Sequence, residues 1–241
     1  MTARVSKTTS QWFTVPSNEH AKIRLFCFPY AGGSSVIFRT WASVLGPSIA
    51  VCPAHLPGRE RRLTEKPYTS AQSVVEAVAE AIIPHLDLPF AFFGHSMGAI
   101  ISFELARQLR RLQLPSPKHL FLSGRVAPRP GVRDKVTYNL PANEFAEELR
   151  RLNGTPREVL ENQELMELMI PLLRADFEIC QTYSYTQEPA LDCPITAFGG
   201  LDDPETTEQM IAAWKEQTTR SFRLCMMPGD HFFVHSAQER I

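Results

Sequence analysis

Three stretches of this chain carry residue types that could do chemistry together. The first is Ala91-Phe92-Phe93-Gly94-His95-Ser96-Met97-Gly98-Ala99-Ile100. An apolar, β-prone run leads into it, and a helix-periodic run from Met97 to Leu112 follows. A serine between two glycines, on a strand-to-helix turn, reads as a nucleophile elbow. Gly94 and Gly98 let the backbone pass close to itself, so that the Ser96 hydroxyl points into open space. The helix behind it offers free N–H groups and a positive dipole end to charge developing beside the serine.

A serine hydroxyl is a weak nucleophile near neutral pH and needs a base, which itself must be oriented. Two later loops supply both. Pro228-Gly229-Asp230-His231-Phe232-Phe233 follows an expected strand, Phe222 to Met226, and His231 is the expected general base. Gly199-Gly200-Leu201-Asp202-Asp203-Pro204 follows the expected strand Ile195 to Phe198 and offers the acid. Adjacent side chains point apart, so one aspartate of the pair can face His231. Asp203 is favoured, because it completes Gly-x-x-Asp and Pro204 can start the next helix; Asp202 stays open. Asp230 and His235 compete less well, the first as a neighbour on the same loop, the second inside the following helix. The side chain of His95 should diverge from that of Ser96, so it reads as a packing residue or as a support for the residues that act. An oxyanion hole needs two backbone donors. Met97, after the nucleophile, gives one; Ala31, in Pro29-Tyr30-Ala31-Gly32-Gly33, gives the other, with Tyr30 as the alternative. Arg59, Arg61 and Arg62 form a basic cluster that is either a solvated face or a contact for a phosphate or acidic partner.

The elements that would position these residues alternate. Residues 1–9 read as a loose tail and Gln11 to Val15 as an edge strand. Ile23 to Phe28 and Ile49 to Cys52 are strands, separated by a helix with Ile37, Trp41, Val44 and Leu45 on one face. Ser70 is the N-cap of a helix bearing Val74, Val75, Val78 and Ile82. His119 to Leu122 is a further strand, and Glu205 to Gln217 a helix. This alternation gives an α/β fold, with a mostly parallel central sheet flanked by helices. Residues 124–188 break the rhythm with helices at 144–152, 156–161 and 164–185, the last kinked or broken at Pro171. The insertion at about 130–185 reads as a helical lid, or else as a plain helical flank. One domain over residues 1–241 is expected.

Composition narrows the classes. The 241 residues are 44% hydrophobic with net charge −1, enough for a sizeable core and without a basic surface for nucleic acid or membrane. No apolar run approaches the roughly 18–20 residues of a bilayer span, and Met1 to Ser10 lacks a secretion signal's apolar region. Five cysteines, at 27, 52, 180, 193 and 225, form no C-x-x-C pair. Their odd number favours reduced thiols in a cytoplasmic protein. His231 and His235 are four apart but lack the glutamate of H-E-x-x-H, so no metal site is expected.

Taken jointly, Phe28-Pro29-Tyr30-Ala31-Gly32-Gly33-Ser34, Pro57-Gly58-Arg59, Phe93-Gly94-His95-Ser96-Met97-Gly98, Phe103-Glu104-Leu105-Ala106, Leu122-Ser123-Gly124-Arg125, Leu173-Arg174-Ala175-Asp176-Phe177 and Pro228-Gly229-Asp230-His231-Phe232-Phe233 resemble the type II thioesterases of nonribosomal peptide and polyketide synthesis. The family often has His where Tyr30 stands. The resemblance implies an α/β-hydrolase fold and a stand-alone serine thioesterase with the triad Ser96, Asp203 and His231. Its implied substrate is an acyl or aminoacyl thioester on the phosphopantetheine arm of an acyl- or peptidyl-carrier protein, and its implied role is clearing stalled or misprimed synthases. It implies no dissociable cofactor, since the phosphopantetheine belongs to the partner; a monomer is the default state. The alternatives are a medium-chain fatty-acyl thioesterase, a general esterase, and a non-catalytic binding module on the same fold.

Overall fold

The computed structural model describes residues 11–131, 134–155 and 157–241. The expected tail at 1–9 lies outside them, as does Pro156 at the start of an expected helix. Six strands form one parallel sheet: β1 (Ile23–Phe28), β2 (Ile49–Pro53), β3 (Phe90–His95), β4 (Leu120–Ser123), β5 (Ile195–Gly200) and β6 (Phe222–Met227), in the order β2-β1-β3-β4-β5-β6. The eight α-helices among the described residues are α1 (Trp41–Leu45), α2 (Ala71–Ile82), α3 (Met97–Arg111), α4 (Ala142–Leu152), α5 (Arg157–Leu160), α6 (Gln163–Thr182), α7 (Glu208–Ala212) and α8 (Phe233–Ser236).

Every residue of β3 and β5 is buried, as a parallel sheet covered on both faces requires. On one face, Phe26, Phe28 and Phe92 pack with Val74, Val78 and Ile82 of α2 and Ile101 and Leu105 of α3. On the other, Cys27, Phe93 and Val51 pack with Trp41 and Val234. The chain builds β1 and β2, then crosses back over β1 to lay β3 on its other side. The connections leaving β1 and β3 therefore part in opposite directions at their carboxyl ends. This switch point is where open α/β sheets leave a crevice for ligands.

Local expectations fail at the edges. Gln11 to Val15 forms no strand; Phe13 makes one isolated antiparallel bridge to Ala54. The helix expected around Ile37 to Leu45 divides into a 3-10 turn, Ser35–Phe38, and the short α1, so Val44 ends up exposed while Trp41 is buried. Ser70 stands at the N-cap of α2, but its side chain makes no capping bond. The helix after β5 begins at Glu208, capped by Thr207, whose hydroxyl accepts from the Met210 N–H; Pro204 stays in the preceding loop.

The insertion is helical, as expected. α6 runs for 20 residues and continues through Pro171, which removes one backbone donor without ending the helix. Phe145 and Leu149 of α4 and Met166 and Leu173 of α6 make a small core of their own. Two side chains of α6 hold the segment before α4: Gln181 accepts from the Thr137 and Tyr138 N–H groups, and Arg174 donates to the Tyr138 and Leu140 carbonyls.

The tightest approach in the molecule is the junction of β3 and α3. A Cβ placed on Gly94 would lie 2.0 Å from the Gly98 carbonyl oxygen, and one on Gly98 would lie 2.1 Å from that of Phe28. Both obstacles are backbone, which has no rotamer to yield. Gly98→Ala should therefore destabilise the fold by about 3 kcal/mol or more, measured by urea denaturation. A loss below about 0.5 kcal/mol, the range of a neutral surface change, would show that the junction can open.

Candidate active site

The β3–α3 junction leaves Ser96 in a backbone conformation few side chains adopt, φ 55° and ψ −111°. Such a residue carries strain of about 1–3 kcal/mol and persists only where its surroundings hold it. They do so here: the Ser96 N–H donates to the Ser123 carbonyl of neighbouring β4 at 2.7 Å, and the Ser96 carbonyl accepts from Ala99 at 3.0 Å. Ser96 thus sits at the amino end of the 15-residue α3, with the Met97 N–H next in the chain.

His231 lies in the loop after β6, and its Nδ1 is 2.8 Å from Asp203 Oδ2 in the loop after β5. An ionised carboxylate can only accept, so Nδ1 carries the proton and Nε2 is left as the basic nitrogen. Asp203 also accepts from the Glu205 N–H (2.9 Å) and the Thr206 hydroxyl (3.0 Å). Burial of this fully enclosed carboxylate would raise its pKa; the bonds and charge of His231, with those of Glu205 and Thr206, outweigh that and hold it below the ordinary 3.8. Asp202 is exposed and faces away, so of the two aspartates Asp203 is the one that meets the histidine. Asp230 turns back to accept from the Phe232 N–H and reaches Asn153 at 3.3 Å. The Tyr30 hydroxyl and His235 Nε2, in α8, are 2.8 Å apart.

His95 both packs and supports its neighbours. It is fully buried, with Nε2 2.9 Å from the His231 carbonyl oxygen and Nδ1 2.8 Å from the Ser123 hydroxyl. A carbonyl cannot donate, so Nε2 carries the proton, and Nδ1 accepts from Ser123. Burial, and then the neighbouring His231, push the His95 pKa well down, so the ring is neutral. One hydrogen-bonded path therefore runs from β4 through the residue preceding the serine to the backbone of the histidine.

In the loop after β1, the Gly33 N–H donates to the Tyr30 carbonyl at 2.9 Å and the Gly32 N–H to Asp176 Oδ2 at 2.7 Å. Asp176 comes from α6. The arginine cluster divides. Arg59 is buried and donates to both oxygens of Asp176, at 2.8 and 2.7 Å. Arg62 is buried too, paired with Glu65 and lying 4.3 Å from the centre of the Trp12 ring. Arg61 is the exposed member, donating to the Gln11 carbonyl. Arg59 and Arg62 thus depart from both expectations, solvated face and docking contact, because each is engaged inside the protein.

A cavity of about 590 Å³ lies over these groups. Ser96, His231 and Asp203 line it together with Tyr30, Ala31 and Gly32 on one side, and Leu149, Met169, Leu173 and Phe177 of α4 and α6 on the other. The size is that of a small-molecule site. Among the described residues no group of three or more His, Cys, Asp or Glu could hold a metal ion, and no helix is long and apolar enough to cross a membrane.

Sequence reasoning gave no role to Asp176, Thr206 or Ser123. Asp176 did leave a trace, as an acid on a helix face otherwise made of Leu172, Leu173 and Phe177.

Asp203 predicts a pH effect of definite sign. Its folded-state pKa lies below that of the unfolded chain, so the unfolded chain binds the proton more readily. The carboxylate's contribution to stability is therefore present above the unfolded value near 3.8 and is lost as the pH falls through the folded value. In urea titrations between pH 7 and pH 2.5, Asp203→Asn should be less stable than the parent at neutral pH, and the gap should shrink below pH 4. A gap that stays constant to the lowest pH would contradict the assignment.

Comparison with known proteins places this geometry. The thioesterase domain family matches residues 23–241. The chain is 49% identical over 230 residues to the gramicidin S biosynthesis protein GrsT of Aneurinibacillus migulanus, covering 95% of this chain and 90% of that one. Among solved structures it superposes on the RedJ thioesterase of the prodiginine pathway in Streptomyces coelicolor with a TM-score of 0.86 and 41% identity, covering 94% and 85% of the two chains. It matches the type II thioesterase BorB of the borrelidin cluster with a TM-score of 0.86 and 34% identity, covering 95% and 94%. On a six-stranded parallel sheet flanked by helices, with a serine at the β3–α3 elbow, the chain belongs to the thioesterase family of α/β-hydrolase fold, among its type II members, and is a thioester hydrolase.

Proposed function

We propose that the chain acts as a stand-alone editing enzyme, hydrolysing acyl or aminoacyl thioesters from the phosphopantetheine arm of carrier proteins in a nonribosomal peptide or polyketide synthase. The contact between His231 Nδ1 and Asp203, on a cavity that Ser96 also lines, carries the reading. Ser96 is the nucleophile. His231 Nε2 takes the serine proton as Oγ attacks the thioester carbonyl, while Asp203 stabilises the imidazolium and fixes its tautomer. The Met97 and Ala31 N–H groups receive the oxyanion; the Gly32 and Gly33 donors of the same loop are already committed to Asp176 and Tyr30. The thiol has a pKa of about 8.5, so it leaves more readily than an alcohol and takes the proton from His231. Water, activated by the same nitrogen, then attacks the acyl-serine, and Ser96 recovers its proton as the acid departs.

The mechanism uses no metal and no dissociable cofactor; the phosphopantetheine arrives with the partner. The partner is the carrier protein, met in the cytoplasm by a single copy of the chain. α4 and α6 serve as the lid and shape the acyl chamber.

Ser96→Ala should keep the fold and lose turnover by several orders of magnitude; retained activity in a clean preparation would refute Ser96 as nucleophile and favour a binding module. Asp203→Asn should lower kcat by about 10⁴-fold, with Asp202→Asn close to the parent. Steady-state rates on acyl-carrier proteins, free acyl-CoA of medium chain length and simple oxygen esters test the substrate. The expected order puts the carrier substrates first. Equal rates on all three would remove the carrier-directed reading, and preference for medium-chain acyl-CoA would replace it.

A further inference from the structure

A buried ion pair, Arg59 with Asp176, touches the loop after β1. Asp176, on α6, is 1% exposed and makes three bonds at once. Its Oδ1 accepts from Arg59, and its Oδ2 accepts from both Arg59 and the Gly32 N–H. Arg59 closes the ring by donating to the Gly33 carbonyl at 2.8 Å. The pair thus grips the loop at an N–H of residue 32 and at a carbonyl of residue 33. The same turn of α6 presses on it sterically. A Cβ on Gly32, whose φ is 77°, would lie 2.5 Å from the Leu173 side chain, and one on Gly58 would lie 3.2 Å from that of Leu172.

We propose that Arg59 and Asp176 are positioning residues for the oxyanion hole, which is set correctly only while α6 is seated. The inference rests on the proposed role of the Ala31 N–H. Ala31 precedes Gly32, and the peptide plane that carries the Gly32 N–H also carries the Ala31 carbonyl. Asp176 fixes the plane on the carbonyl side of residue 31, and the Gly33 N–H, bonded to the Tyr30 carbonyl at 2.9 Å, restrains the plane that carries the Ala31 N–H. A displacement of this donor costs little in substrate binding, because the ground-state carbonyl is a weak acceptor. It costs much in the tetrahedral state, where the oxygen is an anion. The geometry also explains why a charged pair is kept in an apolar helix face. A neutral acceptor could take the Gly32 N–H, but a carboxylate bound on its other side by a rigid guanidinium fork leaves that acceptor no rotational freedom.

The test uses two variants of the full chain, assayed on an acyl-carrier protein and on p-nitrophenyl butyrate. Removing one partner alone strands a buried charge and endangers folding. The double variant Arg59→Met, Asp176→Leu removes both charges; Arg59→Lys keeps the charge but loses the fork and serves where the double variant fails to fold. Thermal melts establish the folded fraction. The expected result for the double variant is a fall in kcat of about 10²-fold, with KM within about threefold of the parent. The affinity of butylboronic acid, a tetrahedral adduct former at the serine, should fall in step with kcat. Arg59→Lys should lie between, losing kcat and boronate affinity in the same proportion. A folded variant with parental kcat per folded molecule, or with lost kcat but parental boronate affinity, would overturn the proposal and leave the pair a purely structural tie. Parental enzyme that turns over the ester but not the carrier would remove the carrier reading alone, with the pair still tested on the ester.

Discussion

Two backbone oxygens leave no space for side chains at residues 94 and 98, and the geometry of the site follows from that steric fact. The Phe28 carbonyl ends β1, Gly94 lies on β3, and Gly98 lies in the first turn of α3. Their near-contact places the end of one strand, the end of the next and the start of a helix at one point. The loop of Ala31 begins immediately after Phe28, and Ser96 stands between the two glycines. Ser96 and that loop are therefore registered by main chain against main chain, where packing tolerances are a few tenths of an ångström. The cost is the strained φ of Ser96, which the surrounding ladder of β4 sustains.

Charge is arranged as carefully as shape. His95 lies near both His231 and His235, and burial pushes His95 and His235 down towards the neutral form. This matters because His231 must become cationic when it takes a proton. The rings of His95 and His231 are 5.3 Å apart. At an effective dielectric near 20, a second positive charge at that separation would oppose protonation by about 3 kcal/mol, roughly a hundredfold in rate. A neutral His95, donating through Nε2 to the His231 carbonyl, supports the base without repelling the proton it receives. Asp203, held anionic by three donors, supplies the one charge that favours the imidazolium.

Much of this was legible in the sequence, for physical reasons that differ by element. β1, β3 and β5 were plain because strands covered on both faces must be continuously apolar. Ser96 and His231 were plain because their loops carry punctuation that few other structures need. Alternation of side chains lets one of Asp202 and Asp203 face His231; the preference for Asp203 rests on Gly-x-x-Asp and on Pro204 starting a helix, and Asp203 does face His231 although Pro204 stays in the loop. The edges were illegible: Gln11 to Val15 has strand composition, yet a single bridge to Ala54 is all the sheet edge offers it. The burial of Arg59 is not legible because its carboxylate lies 117 residues away, and that of Arg62, paired with nearby Glu65, depends on the distant Trp12 ring. Nothing near Arg59 in sequence announces Asp176.

The roof of the cavity is attached to the body by contacts of unequal kind. On the side of the acid and base loops, Arg151 of α4 pairs with Glu205, and Asn153 with Asp230, through half-exposed or exposed groups. Such contacts contribute about 0.2–1 kcal/mol each. Gly154 adds a close fit, since a Cβ there would meet the Phe232 ring at 2.3 Å. On the side of the oxyanion loop, the attachment is the buried ring of Asp176, Arg59, Gly32 and Gly33, where breaking one bond exposes a charge to an apolar interior. The contacts are of unequal strength: each polar contact on the α4 side is weak and solvent-exposed, whereas the ring at the middle of α6 cannot be broken without exposing a buried charge. Pro171 lies between these regimes, two residues before Leu173, where the missing backbone donor has already removed a rung of the helix. The insertion thus has a weakly held side next to the His231 loop and a firmly held side next to the loop after β1.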